Sequence, residues 1–120
     1  MSKKILIVED EQALLRALKE TFKEEGYEVY VAHNGEVGLE NVQKYNPDLV
    51  LLDMKMPVMD GAQFITELQG RDIHTPVIVL TNNDEYNECN AEVLLKAKVS
   101  LKELKDFVSK KLSKTYDECD

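Results

Sequence analysis

Apolar residues in this chain come in short unbroken runs, separated by longer stretches with helical spacing. Lys4-Ile5-Leu6-Ile7-Val8 is the first run, and it stops abruptly at Glu9-Asp10-Glu11. A run without alternation reads as a strand buried on both faces. Leu14, Leu15, Leu18 and Phe22 then recur at helical spacing, and Gly26 supplies a helix stop. Tyr27 to Ala32 predicts a second strand. Asn34-Gly35 marks a turn, followed by a helix carrying Val37, Leu39 and Val42 that closes at Asn46-Pro47-Asp48.

Leu49-Val50-Leu51-Leu52 is the most apolar strand candidate, and Asp53 ends it. Asp60-Gly61 opens a helix with Phe64, Ile65 and Leu68 on one face. Thr75-Pro76 breaks the chain before Val77-Ile78-Val79-Leu80, a fourth strand ending at Thr81. Val93-Leu94-Leu95 predicts a fifth, ending at Lys96. Ser100-Leu101-Lys102-Glu103 has the capping-box pattern, and Leu101, Leu104, Phe107, Val108 and Leu112 carry the last helix. The pattern divides the chain into one domain, residues 1–112, and a polar C-terminal tail, residues 113–120, expected to fray.

Strand and helix alternate throughout. That order predicts an α/β fold with a doubly wound five-stranded parallel sheet, helices on both faces and right-handed crossovers. Such sheets place function at the carboxyl ends of their strands, near the point where strand order reverses.

Composition narrows the partners. The length of 120 residues fits one core, and 43% apolar content can fill it. A net charge of -8 argues against nucleic acid, whose phosphates need Lys and Arg; most of that charge reads as ordinary solubility charge. No apolar run approaches membrane-spanning length, and the N-terminal apolar segment is too short for a secretory signal, so a cytoplasmic location is expected. Cys89 and Cys119 show neither metal-ligand spacing nor a redox pair and read as free thiols.

The informative positions are the strand ends: Asp10 beside Glu9, Asp53, Thr81 and Lys96. In a parallel sheet these ends share one edge, so three carboxylates, a hydroxyl and an ammonium are expected to converge. Clustered carboxylates repel one another, and a divalent cation relieves the repulsion. Oxygen-only ligands select a hard ion, and so few carboxylates suit Mg²⁺, which keeps several waters. Asp10 and Asp53 are expected to coordinate directly, Glu9 through water, and the Lys55 backbone carbonyl to complete the protein ligands. A carboxylate can attack phosphorus to form an acyl phosphate, and Asp53, ending the central apolar strand, is the best nucleophile. Thr81 and Lys96 would then stabilise the transferring group. Each residue also has a plainer reading. Asp10 or Glu11 can cap the first helix. Asp53 can be a solvated loop residue, Lys96 a surface lysine and Thr81 an ordinary strand end. Their joint occurrence at four strand ends favours the shared site.

With those residues in view, the chain resembles the response-regulator receiver family, whose members have a flavodoxin-like fold with strand order 2-1-3-4-5. The resemblance rests on ILIVEDE (Ile5 to Glu11), PDLVLLDMKMPVMDG (Pro47 to Gly61) and TPVIVLT (Thr75 to Thr81), and less strongly on LLKAKVSLKEL (Leu94 to Leu104). It implies that Asp53 is the phosphoacceptor, Glu9 and Asp10 the acidic pair for Mg²⁺, Thr81 the switch hydroxyl and Lys96 the phosphoryl-binding lysine. It implies a phosphohistidine donor on a sensor histidine kinase or a histidine phosphotransfer protein, and a downstream protein target. A stand-alone receiver is expected, not an enzyme in the ordinary sense, that assists its own phosphoryl transfer and hydrolysis.

The chain departs from the family between Thr81 and Lys96. Family members carry a full loop, a three-turn helix and another loop there. Here Asn82 to Asn90 must supply all of it, with four Asn and no apolar stripe. The fourth helix is therefore expected to be shortened or absent, which puts the usual output surface in doubt and leaves monomer or exchange-type homodimer open. Ala97 follows Lys96 where proline is usual, with Lys98 an alternative phosphoryl-binding lysine. Val93 replaces a common aromatic, and Asn82 a small residue. Two alternatives follow: a degenerate receiver that binds a protein partner without phosphorylation, and an engineered or truncated one.

Overall fold

A computed structural model of the chain describes residues 3–53, 59, 61–81, 92–95 and 100–117; side chains are described for all of these except 61, 81, 92–95 and 113–117. Five strands and four helices follow one another in the expected alternation: β1 (Lys4–Val8), α1 (Gln12–Glu24), β2 (Glu28–Ala32), α2 (Gly35–Tyr45), β3 (Leu49–Asp53), α3 (Gly61–Gly70), β4 (Val77–Thr81), β5 (Glu92–Leu95) and α4 (Leu101–Asp117). The sheet order is β2-β1-β3-β4-β5, and every neighbouring pair is parallel. This is the doubly wound α/β arrangement that the alternation predicts. The fourth helix, expected to be shortened or absent, falls on Asn82 to Asn90, outside the described residues.

The unbroken apolar runs are explained by two cores. Alternate strand residues point to opposite faces of the sheet. Leu6, Val8, Val50, Leu52 and Val79 meet α2 and α3 through Leu39, Val42, Phe64 and Leu68. Ile5, Ile7, Leu49, Leu51 and Ile78 meet α1 and α4 through Leu18, Phe22, Leu104 and Val108. Every residue of β3 is buried, so no position on that strand can be polar until its end at Asp53.

The helix ends follow local chemistry. Gly26, with φ of 95°, ends the α1 region in the left-handed conformation that glycine tolerates. Asn34 caps α2, its side chain accepting from the Val37 N–H at 2.8 Å, and Asn46 closes it with φ of 50°. The Ser100 hydroxyl accepts from the Glu103 N–H at 3.1 Å, the cap bond that the capping-box pattern anticipates, and donates to the Glu103 carboxylate at 3.2 Å. The last helix differs from the sequence reading: α4 runs to Asp117, past Leu112, so residues 113–117 are helical rather than a frayed tail. No glycine or proline interrupts that stretch, so nothing in the sequence stops the helix at Leu112.

Candidate functional site: an acidic cluster at the sheet edge

The strand register builds the site. Val8 pairs with Leu52 as the last partners between β1 and β3, and one residue further on Glu9 and Asp53 leave the two strands side by side. Glu9 continues the ladder on its other side, its N–H donating to the Ala32 carbonyl at 3.0 Å. The sheet reverses order here: β1 has β2 on one side and β3 on the other. Chain connections leave in opposite directions at such a point and open a crevice outside the strand ends.

Glu9, Asp10 and Asp53 each bring a carboxylate oxygen to within 4.8 Å of the others. Glu9 and Asp53 are buried at 2% and 6% exposure, while Asp10 faces solvent. Buried carboxylates at this spacing are costly unless paired or metal-bound. A set of oxygen-only donors, two of them enclosed and one open to solvent, fits a small hard cation that keeps part of its water shell. The three acidic residues predicted to share a cation are thus brought together.

The plainer reading of the acidic run, that it caps α1, does not describe the side chains. Glu11 occupies the N-cap position, yet its side chain makes no capping hydrogen bond. Instead the Glu11 N–H donates to the Glu9 carboxylate at 3.1 Å. That contact turns Glu9 back toward the strand end and orients its carboxylate. Sequence reading treated Glu11 only as a possible cap and missed this backbone role.

Thr81 ends β4 with its backbone paired to Leu95 of β5, and the preceding Leu80 pairs with Asp53. Thr81 therefore sits at the same sheet edge as the carboxylates. Its side chain, like Lys55, Lys96 and the alternative Lys98, lies outside the described residues. Asp53 has buried surroundings on its strand side and the acidic cluster on the other. Its carboxylate is therefore enclosed at the end of the central strand β3, beside those of Glu9 and Asp10.

Among the described residues, no helix is long and apolar enough to cross a membrane.

Comparison with known proteins gives the same answer as the geometry. The model of the response regulator receiver domain family matches residues 5–116. The chain is 42% identical over 87 residues to sporulation initiation phosphotransferase F of Bacillus subtilis, covering 72% of this chain and 70% of that protein. It is 35% identical over 85 residues to the alkaline phosphatase synthesis transcriptional regulatory protein PhoP of the same organism; that match covers 71% of this chain but 35% of PhoP. With the regulatory protein AtoC of Escherichia coli the identity is 40% over 78 residues, covering 65% of this chain and 17% of AtoC. The chain thus spans about a third or less of the length of those two regulators. Among solved structures, the receiver domain of the Francisella response regulator 1452 superposes with a TM-score of 0.87 at 27% identity, covering 95% of this chain and 99% of that one. A CheY-like receiver domain protein from Methanospirillum hungatei superposes with a TM-score of 0.88 at 26% identity, covering 98% and 99%.

Proposed function

This chain belongs to the response regulator receiver domain family, and from that membership and the acidic cluster we propose that Asp53 accepts a phosphoryl group from a phosphohistidine donor in a Mg²⁺-dependent reaction. The carrying observation is the approach of the Glu9, Asp10 and Asp53 carboxylates to within 4.8 Å at the point where strand order reverses. When bound, Mg²⁺ would neutralise charge on the transferring group and hold it in line with the attacking oxygen.

The chain's own residues divide the remaining work. A carboxylate oxygen of Asp53 attacks phosphorus, the P–N bond to the donor imidazole breaks, and the electron pair returns to that nitrogen, which takes up a proton. Asp10 and Asp53 are the direct cation ligands in this proposal, with Glu9 acting through water and the Lys55 carbonyl completing the protein donors. The Thr81 hydroxyl and the Lys96 ammonium are assigned to the phosphoryl oxygens. The donor is a sensor histidine kinase or a histidine phosphotransfer protein, and the modified chain signals through contacts with a further protein in the cytoplasm. The chain assists its own modification and its hydrolysis and is not an enzyme with a separate turnover substrate.

A second reading, a receiver fold that binds its partner without phosphorylation, is favoured by the shortened stretch between Thr81 and Lys96. One experiment separates the two. The protein is incubated with phosphoramidate or acetyl phosphate and Mg²⁺, and its intact mass is measured. A single phosphate adduct that is absent in Asp53→Asn supports the proposal. A folded protein that acquires no adduct refutes it and leaves the binding module.

A further inference from the structure

Asn34-Gly35 is the one place in the chain where glycine follows asparagine. In an unfolded chain such a pair is chemically labile, because no side chain shields the glycine nitrogen and the backbone around it turns freely. The Gly35 nitrogen can attack Cγ of Asn34 and form a C–N bond. The Cγ–Nδ2 bond breaks, and ammonia leaves with the Gly35 amide proton. Water then opens the cyclic imide, at Cγ to give aspartate or at the main-chain carbonyl to give isoaspartate.

The fold ties down the groups that this reaction must bring together. Asn34 Oδ1 accepts the Val37 N–H at 2.8 Å, and the Asn34 carbonyl accepts the Gly38 N–H at 3.0 Å. The Asn34 backbone is extended, with φ of -157° and ψ of 171°. Swinging the side chain toward the Gly35 nitrogen breaks the first bond, and turning the Asn34–Gly35 peptide breaks the second. The peptide also lacks room to turn: Gly35 is buried, and a Cβ built on it would lie 2.6 Å from the Met59 carbonyl oxygen. Loss of an N-cap bond alone makes the open form about 5- to 30-fold rarer than the closed one.

We propose that Asn34 is a latent site of spontaneous deamidation, held shut by the N-cap of α2 and exposed to reaction when the first turn of that helix opens. The two products have different consequences. Aspartate caps a helix as well as asparagine does and adds a charge that the helix N-terminus favours. Isoaspartate routes the main chain through the former side chain, so the capping oxygen is displaced and the opened turn does not close again.

The test holds the wild-type chain at mildly alkaline pH, folded in buffer and unfolded in guanidinium chloride, and follows conversion of each asparagine over time by peptide mapping and mass. In the unfolded chain Asn34 is expected to convert ahead of every other asparagine. In the folded chain its conversion is expected to be at least about 5-fold slower. A Val37→Pro variant removes the N–H that holds the Asn34 oxygen, within the first helical turn where proline is tolerated. Checked as folded by circular dichroism, it is expected to convert Asn34 faster than folded wild type. Equal rates in folded and unfolded wild type overturn the proposal, as does an unfolded chain in which another asparagine leads. A folded Val37→Pro chain that converts at the wild-type rate overturns it too, since the cap is then not the lock; should that variant fail to fold, the comparison of folded with unfolded wild type decides by itself.

Discussion

Replacing Glu9 with glutamine should make the protein more stable without metal and less responsive to it. The substitution keeps the shape of the side chain and an oxygen to accept the Glu11 N–H, and removes one negative charge. Two unit charges 4.8 Å apart, the outer limit of the spacing within the cluster, repel by about 3.5 kcal/mol at an effective dielectric of about 20. Donors already turned toward Glu9 and solvent at Asp10 offset part of that, leaving about 1–2 kcal/mol to be gained by neutralising Glu9. Mg²⁺ acts in the opposite direction. At a free concentration 100 times its dissociation constant it stabilises the wild-type fold by about 2.7 kcal/mol, because only the folded chain assembles the three carboxylates. The two effects predict a crossover. In EDTA, Glu9→Gln unfolds at higher urea than wild type; at saturating Mg²⁺ the order reverses. Urea denaturation followed by far-ultraviolet circular dichroism reads both midpoints, and a difference of about 1 kcal/mol corresponds to about 4 °C in melting temperature for a domain of this size. An equal gain from Mg²⁺ in the two proteins would refute the shared site, since it would mean that Glu9 takes no part in holding the ion.

Two further predictions concern the scaffold. Gly38→Ala should destabilise the fold by about 1 kcal/mol: alanine gains about 1 kcal/mol of helix propensity, but its Cβ would meet Val8 Cγ2 at 2.9 Å and Phe64 Cε1 at 3.1 Å. Both neighbours are fully buried, and forcing extra volume into such a core costs about 1–3 kcal/mol; a urea midpoint above wild type would show that the core yields. The Tyr30 phenol should ionise above the ordinary tyrosine value of 10.0, chiefly because it donates a hydrogen bond to the Glu28 carboxylate, with partial desolvation and the neighbouring negative charge adding in the same direction. The stability this contributes is complete below pH 10.0 and fades as pH rises through the folded-state value; tyrosinate absorbance in an alkaline titration checks it, and a Glu28→Gln titration identical to wild type would remove its cause.

Periodicity and composition carried the architecture a long way. Strands buried on both faces announce themselves as unbroken runs such as Leu49 to Leu52, because neither face of a covered sheet tolerates a polar side chain. The chain can admit a charge only where such a run ends, so Asp53 and Glu9 were legible as candidate site residues from their positions alone. Helix boundaries at Gly26, Asn34, Asn46 and Ser100 were legible for the same local reason: each satisfies or terminates backbone groups within a few residues of itself. The end of α4 was not, because the stretch after Leu112 carries no glycine or proline to mark a stop. Nor does any local pattern record contacts between segments distant in the chain. That β1 lies between β2 and β3, so that Val8 and Leu52 meet and deliver Glu9 and Asp53 to one point, follows from how the helices pack on the two faces of the sheet. That Gly35 must be bare is a matter of where the Met59 carbonyl arrives, and that Glu11 serves Glu9 through its N–H depends on the angle at which α1 leaves β1. Local order is written in the spacing of residue types, whereas the site is made by shape complementarity between elements that the spacing leaves independent.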